Sequence, residues 1–288
     1  MKLSRPDADV YIPALSAGLT AEAALARTTH LCVIAHQDDI EINAYPAVAE
    51  CYDKAGKYFT GVVMTNGAGS ARTGRYAATT DAQMQQIRRE EQRKAADIGK
   101  YNLQLQLGHP SSAVKRNDDA GVRADLAAIF SGCSKTVEAV YLHQPMDKHD
   151  THVACFLRCI EAIRSLPRDQ RPKRVVGVEG WRDLDWLHDG DKVAMDASPN
   201  PALADELVKV FDSQIAGGKR YDLAALGRRV ANATFFASHA TDALSSVSFA
   251  VDLTPLVQDE TLSPLDFALK HVDRFRSDVA ARLKQMGA

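Results

Sequence analysis

Short, nearly continuous apolar runs alternate with longer helical patterns through much of the chain. Apolar runs of this kind are typical of parallel strands, which are buried on both faces. They lie at 30–35, 58–65, 137–143 and 174–179, with an alternating run at 102–107. The helical patterns lie at 21–26, 42–55, 81–98, 121–130 and 152–165. The alternation predicts an α/β fold, a Rossmann-like three-layer sandwich with a mostly parallel sheet.

Local signals refine several of these elements. Pro46 falls in the first turn of the helix at 42–55, where a missing N–H is tolerated. Thr80 or Asp81 caps the helix at 81–98, and Gly99 ends it. The alternation in 102–107 predicts a half-exposed strand.

The C-terminal third predicts a helix at 201–213, a polar stretch, and a last helix at 263–286 that starts at Ser263-Pro264. Apolar residues of the last helix keep a helical period. They are Leu265, Ala268, Val272, Phe275, Val279 and Met286. We predict a single domain over 1–288, with a motif-bearing core at about 30–216 and a helical extension at about 217–288.

The charge balance excludes little by itself but argues against two classes of partner. The 35 Lys and Arg against 37 Asp and Glu give a net charge of -2, with no basic excess for nucleic acid or an anionic membrane. We see no signal-peptide h-region and no apolar run of roughly 20 residues. The five cysteines form no CxxC pair. These features predict a cytoplasmic protein with reduced thiols.

The first chemical signal is AHQDDIE at 35–41, directly after an apolar strand. Sites in open α/β sheets form at the carboxyl ends of strands. His36, Asp38 and Asp39 place an imidazole and two carboxylates there, and a bound cation would relieve the repulsion of the carboxylates. One carboxylate can bind the cation while the other acts as a base. The alternative is that Asp38 or Asp39 only caps the following helix.

The second signal covers 143–152, where His143, His149 and His152 are three of nine histidines in the chain. It also follows an apolar strand. His149 and His152 are three residues apart at a helix start, so both can face one cavity. Histidines and a carboxylate from two strand ends make a mixed N/O ligand set, of the kind that holds catalytic zinc. The alternative is a polar, solvated turn.

These motifs resemble those of the PIG-L/LmbE-like zinc-dependent N-deacetylases. The first motif of that family is AHPDDxE. Its second motif places two histidines around a short spacer, as HDTH does at 149–152. Arg88, Glu91, Ala95, Ala96 and Gly99 match the helix pattern RxxExxxAAxxxG of the family. Asn66 lies in a loop like its TDG loop, and Glu179 and Trp181 follow the strand before its C-terminal region. The resemblance covers roughly 30–216.

The resemblance implies a role for each matching residue. His36, Asp39 and His152 would hold the metal, with zinc expected and Fe²⁺ or another divalent ion as alternatives. Asp38 would be the general base, and His149 would stabilise the oxyanion or protonate the leaving amine. The predicted substrate contacts are Arg88, Asn66 and Trp181, and the predicted supporting residues are Glu41, Asp147 and Asp150.

Two departures from the family pattern bear on these roles. Gln37 replaces the usual proline of the first motif, which changes the stiffness of the turn. Asp150-Thr151 replaces the Pro-Asp whose aspartate orients the charged histidine in many members. Here Asp147 or Asp150 would orient His149, or Thr151 more weakly.

The expected reaction is metal-dependent hydrolysis of an N-acetyl (N-acyl) group on an amino sugar or glycoconjugate. The alternatives are a metal-dependent amidase for a non-sugar amide and a non-catalytic carbohydrate-binding protein on the same fold. The expected partner is a small N-acetylated sugar or conjugate, and relatives are often oligomeric, so a homo-oligomer is a further expectation.

Gly67-Ala-Gly69 lacks the third glycine of GxGxxG, which disfavours dinucleotide binding. The loop at 66–79 is either a rim of the pocket, with Arg72, Arg75 and Tyr76 touching substrate, or simply solvated.

Overall fold

Five neighbouring parallel strands form the centre of an eight-stranded sheet, as the apolar runs predict. The protein is described by a computed structural model that covers residues 1–133 and 135–288. The strands are β1 (Asp9–Tyr11), β2 (His30–Ile34), β3 (Phe59–Thr65), β4 (Leu103–His109), β5 (Ala139–His143), β6 (Val175–Val178), β7 (Lys192–Asp196) and β8 (Val247–Asp252). Their order is β1-β4-β3-β2-β5-β6-β8-β7, and β1, β7 and β8 pair with their neighbours in antiparallel fashion.

Helices cover both faces of the sheet. They are α1 (Ala21–Ala26), α2 (Asp39–Asn43), α3 (Tyr45–Cys51), α4 (Asp81–Ile98), α5 (Ser111–Lys115), α6 (Ala120–Cys133), α7 (Asp150–Arg164), α8 (Pro201–Lys209), α9 (Asp212–Ile215), α10 (Tyr221–Phe235), α11 (Thr254–Gln258) and α12 (Pro264–Gln285). Leu31 and Val33 of β2 belong to one buried cluster, and Cys32 and Ile34 belong to another. Alternate side chains of a strand point to opposite faces, so the two clusters are two cores and the three-layer fold is confirmed.

The capping signals of α4 are confirmed in detail. Thr80 caps the helix and accepts from the Gln83 backbone N–H, while the Gln83 side chain accepts from the Thr80 N–H, a reciprocal capping box. Gly99 follows the last residue of the helix, as predicted.

Two predicted elements in the core are partly wrong. The helix predicted at 42–55 is two short helices, α2 and α3, which meet at Ala44. Pro46 cannot donate a hydrogen bond to the preceding turn, so a continuous helix is interrupted there. The strand predicted to be half-exposed is β4, and all seven of its residues are buried. The Gln106 amide donates to Asp9 and to the Arg89 carbonyl, which satisfies a polar side chain inside the core.

The C-terminal third differs most from expectation. The predicted helix at 201–213 is divided into α8 and α9, and the polar stretch contains α10 and β8. The predicted helical extension thus also supplies a strand, which pairs with β6 and β7. The edge strands β1 and β7 have no continuous apolar run. They are stabilised by pairing partners far along the chain, as the inner strand β8 is.

The apolar period of α12 does not mark a buried face. Phe267 and His271 are its buried residues, whereas Leu265, Val272, Phe275, Val279 and Met286 are exposed. No described helix is both long and apolar enough to cross a membrane.

Candidate active site

The first motif forms the turn between β2 and α2. Asp39 Oδ2 accepts from the His36 backbone N–H at 2.8 Å, which closes the turn. Asp38 adopts a left-handed conformation with φ +90°, which is uncommon for a residue other than glycine. This backbone turn sends the two adjacent carboxylates in different directions. Asp39 faces the histidines and Asp38 faces Arg88, so their roles can be separate.

The second motif reaches the same place from β5, the parallel neighbour of β2. Strand order reverses between β2 and β5, which is where open α/β sheets form ligand crevices. His149 is the N-cap of α7, and His152 lies in its first turn. The His152 Nε2 atom lies 3.3 Å from Asp39 Oδ2 and 3.3 Å from His36 Nδ1.

The three atoms suit a single cation. His36 Nδ1 is 3.1 Å from Asp39 Oδ2, so all three separations are 3.1–3.3 Å. Atoms that bind zinc tetrahedrally at about 2.0–2.2 Å lie about 3.3 Å from one another. The donors, two imidazole nitrogens and one carboxylate oxygen, are also those that divalent transition metals prefer.

Charge in the cluster supports this fit. Burial opposes ionisation of Asp39, but the neighbouring imidazoles hold the pKa of its carboxyl well below the usual range. Burial also opposes protonation of His152, but Asp39 and Asp147 outweigh it and raise the pKa of the ring to about 9. The cluster thus holds a positive charge at the position where a cation would neutralise Asp39.

Asp147 orients His152 rather than His149. Its Oδ2 atom lies 2.9 Å from His152 Nδ1, which holds a proton on Nδ1 and directs Nε2 to the place where a cation would displace the second proton. The same carboxylate accepts from the backbone N–H groups of Lys148, Trp181 and Arg182 at 2.6–3.2 Å. Gly180 passes so close that a Cβ there would lie 2.4 Å from Asp147 Oδ2.

The orientation of His149 comes from the backbone. His149 Nδ1 accepts from the Thr151 N–H at 3.2 Å, while the exposed Asp150 side chain forms no hydrogen bond or ion pair with it. Burial and the charge of His152 lower the pKa of His149 to about 4. The ring is therefore neutral near pH 7, with its proton on Nε2. The charged imidazolium considered from the sequence is not favoured.

Asp38 is buried and held from α4. The Arg88 guanidinium lies 3.2 Å from Asp38 Oδ2 and also donates to the Gln37 carbonyl and to Ser70. The Gln92 side chain accepts from the Asp38 N–H at 3.3 Å. Burial raises the pKa of Asp38 well above its usual value, and Arg88 partly offsets this.

The predicted supporting and substrate-contact residues take different places around the cluster. Glu41 is buried beneath the site, where its Oε1 accepts from Gln92 and Tyr101. Trp181 lines the cavity described below and is 37% exposed, but Asn66 does not line it and instead accepts from the Ala68 N–H. The Arg88 donors described above are directed at protein groups, although the side chain lines the cavity.

The loop at 66–79 contributes to the cavity through its first half. Gly67, Ser70 and Ala71 line the cavity. Arg72 instead binds Asp81 and two carbonyls, and Arg75 and Tyr76 bind Asp212. The three residues considered as substrate contacts therefore make contacts within the protein.

A cavity of about 530 Å³ opens beside the cluster. His36, Asp38, Asp39 and His149 line one part of it. Residues that sequence reasoning did not single out line the rest, including Lys115, Lys219, Tyr221 and Arg228. Most of these come from the C-terminal third, where no motif pattern points to them.

His143 is another residue without an assigned role. Its Nε2 accepts from the Ala35 N–H at 2.9 Å, and its ring stacks on that of His152 with centroids 3.8 Å apart. It thus holds the ends of β2 and β5 together beneath His152. The density of histidines in 143–152 is the one sequence signal that pointed to it.

Comparison with known proteins places this geometry in context. Residues 31–163 match the PIG-L family, described as GlcNAc-PI de-N-acetylase. Among curated proteins, no sequence is similar enough to count as a relative.

Solved structures share the fold at low sequence identity. An N,N'-diacetylchitobiose deacetylase from Pyrococcus horikoshii has a TM-score of 0.62 at 15% identity, over 81% of this chain and 86% of that one. A 4-carboxy-2-hydroxymuconate hydratase from Pseudomonas putida has a TM-score of 0.56 at 17% identity, over 78% of this chain and 96% of the other. One fold thus carries more than one reaction, and function has to be argued from the site.

Both motifs lie inside the matched segment, so the likeness to the PIG-L family rests on the residues of the site and not on the fold alone.

Proposed function

We propose that this protein is a metal-dependent hydrolase that removes an N-acetyl (N-acyl) group from an amino sugar or glycoconjugate. One observation carries the proposal. Two imidazole nitrogens and a carboxylate oxygen converge within 3.3 Å at one end of a cavity, and a second buried carboxylate lies beside them.

His36, Asp39 and His152 are the proposed metal ligands. Zinc is the proposed metal, and Fe²⁺ or another divalent ion suits the same donor set. Such a cation, when bound, lowers the pKa of water and polarises a carbonyl group. Asp147 and His143 would keep His152 in place for this purpose.

Asp38 is the proposed general base. Its raised pKa favours accepting a proton from the attacking water and passing it to the departing nitrogen. Arg88 would then act as a positioning residue, because its guanidinium binds Asp38 and the Gln37 carbonyl. The neutral His149 would donate its Nε2 proton in a hydrogen bond to the developing oxyanion.

Trp181 is the proposed contact for the apolar face of a sugar ring. It lines the cavity, and its ring centroid lies 6.0 Å from that of His149. An aromatic ring in a cavity can pack against the apolar side of a sugar. Two alternatives from the sequence make different demands on these residues. An amidase for a non-sugar amide would not need Trp181 as a sugar contact, and a non-catalytic binding protein would not need Asp38 as a base.

Metal content is the first test. We expect about one divalent ion per chain in the wild type and loss of the ion in His152→Ala. The control His239→Ala, which removes an exposed histidine distant in sequence from both motifs, should keep its full metal content. Native mass spectrometry after reconstitution with zinc or iron measures this. A wild type that binds neither metal would refute the proposed metal centre.

Amine release from a panel of N-acetylated sugars tests the reaction. Asp38→Asn should keep the metal and lose turnover, since only the general base is removed. If wild type and Asp38→Asn bind the sugars equally and neither releases amine, the protein is a binding protein. Release from non-sugar amides alone would favour the amidase.

We also propose that a second copy of this chain pairs with α12. Its exposed apolar side chains recur at the 4–3 spacing of a coiled-coil seam. They are Leu265, Leu269, Val272, Val279, Leu283 and Met286, with Arg276 at the remaining position. Light scattering should show a dimer that Leu269→Glu with Leu283→Glu abolishes and the control Phe235→Glu retains. A wild-type monomer would refute this.

Cytoplasmic residence remains a proposal. The five cysteines are free and buried, which suits a reducing compartment.

A further inference from the structure

Three cationic side chains line the cavity without a directly paired carboxylate, although Arg228 interacts with the buried Glu179 at longer range. They are Lys115, Lys219 and Arg228, and none forms an ion pair within 4.0 Å in the part of the chain that the structure describes. Other surface lysines do find partners, as Lys209 does with Asp205 at 2.6 Å. Unpaired cations that converge on one cavity favour an anion inside it.

Two of these cations surround the aromatic side of the cavity. Lys219 Nζ lies 5.1 Å from the centroid of the Trp181 ring, and Arg228 donates to the carbonyl of Gly180. Tyr221 meets the Trp181 ring edge-on at 6.2 Å. Two positive charges thus border the proposed sugar-binding ring. The hydrogen bond of Arg228 and the cation–π contact of Lys219 hold these charges near the cavity.

The carboxylates of the cavity do not neutralise these charges. Asp38 and Asp39 are the two that line it, and they are occupied by Arg88 and by the imidazoles. A cation in the proposed metal site would add further positive charge. The cavity therefore has an excess of positive charge in a chain whose net charge is -2.

We propose that the substrate carries an anionic group, a carboxylate or a phosphate, beside its N-acyl group, and that Lys219 and Arg228 bind this group. This inference rests on the proposed function, because it assigns the substrate class of the same cavity. Lys115 lines the cavity as well and adds to the positive potential without a proposed direct contact. Recognition of an anion by lysine and arginine is a charge-assisted hydrogen bond, stronger than a neutral one.

The first experiment compares three substrates at the metal-loaded wild-type enzyme: N-acetylglucosamine, its 6-phosphate, and N-acetylmuramic acid as the carboxylate. We expect kcat/KM for one or both anionic sugars to exceed that of the neutral sugar by about tenfold to a hundredfold. The difference should shrink in about 0.5 M sodium chloride, because salt screens charges. Which anionic sugar is preferred distinguishes phosphate from carboxylate.

The second experiment uses charge variants. Lys219→Glu and Arg228→Lys should remove or reduce the preference for the anionic sugar, while Lys209→Met, at a paired surface lysine, should leave it unchanged. Lys219→Glu is the safer variant, since Lys219 is exposed and its side chain forms no hydrogen bond with the described residues. Calorimetric Kd values for the deacetylated anionic products, measured on Asp38→Asn, give a readout that needs no turnover.

The outcomes separate the two proposals. Equal turnover of neutral and anionic sugars, unaffected by Lys219→Glu, overturns the anionic substrate and leaves the deacetylase intact. Charge-dependent binding without turnover of any sugar supports the anion site and refutes the deacetylase. Absence of both turnover and charge-dependent binding overturns the anion site.

Discussion

Asp147→Asn is the sharpest test of how the site is held, because sequence reasoning left Asp147 and Asp150 as equal candidates. Each carboxylate oxygen of Asp147 meets at least two N–H donors, His152 Nδ1 and the Trp181 backbone at Oδ2, and Lys148, His149 and Arg182 at Oδ1. An asparagine has one acceptor oxygen. Whichever way its amide turns, its NH₂ group faces donors that the carboxylate now satisfies.

The magnitude follows from the number of bonds lost. At least two hydrogen bonds to a charged acceptor disappear, each worth about 1.5–3 kcal/mol, so we expect the free energy of unfolding to fall by about 3–6 kcal/mol. Metal affinity should fall by about tenfold to a hundredfold, since His152 loses the partner that fixes its tautomer. Urea denaturation measures the first quantity, and competition with a chromophoric chelator measures the second.

The matched control is Asp150→Asn, three residues further along the same segment. Asp150 is exposed and forms no hydrogen bond or ion pair with His149, so both quantities should stay close to wild type. Equal losses of metal affinity in the two variants, or no loss in Asp147→Asn, would refute the assignment of Asp147 to His152.

Three further predictions address pH, capping and metal. In the metal-free protein, burial raises the pKa of Glu41 from 4.5 to about 7. The native state then keeps a proton that the unfolded chain has lost, so the free energy of unfolding should fall by up to about 3 kcal/mol between about pH 4.5 and about pH 7 and stay level above. Glu41→Gln should flatten this part of the curve, and parallel curves from urea titrations would contradict the prediction. Thr80→Ala removes the side-chain acceptor of the α4 capping box and should cost about 0.5–2 kcal/mol of unfolding free energy, whereas no change in the urea midpoint would exclude a role for the cap. Adding zinc at about 100 times its Kd to protein freed of metal by a chelator should raise the free energy of unfolding by about 2.7 kcal/mol in the wild type and not in His152→Ala. If calorimetry showed the same rise in stability in both proteins, the ion would bind elsewhere.

α12 is exposed along most of its length. The solved structures of similar fold align over 78–81% of this chain. The described part of the chain offers no partner for the seam of α12, which is why a second copy is the proposed one.

The sequence determined the central sheet, the helix bounds of α4 and the meeting of the two motifs, because these depend on local patterns. A buried parallel strand requires a continuous apolar run, a helix start requires a capping side chain, and the carboxyl ends of neighbouring parallel strands meet at one edge of a sheet. The two motifs could therefore be grouped without coordinates, whereas the choice of His36, Asp39 and His152 within them came from the family resemblance.

Tertiary structure alone decided the rest, because it depends on contacts between residues far apart in the chain. The antiparallel strands β1, β7 and β8 form because they pair with strands far along the chain, and Gln106 can be buried because its amide donates to Asp9. The same applies to the site: Thr151 rather than a carboxylate orients His149, and Lys219 and Arg228 reach the cavity from a region without any motif. Charges and hydrogen bonds connect residues that are distant in the sequence. A sequence pattern indicates only the contacts between residues that are close in the sequence.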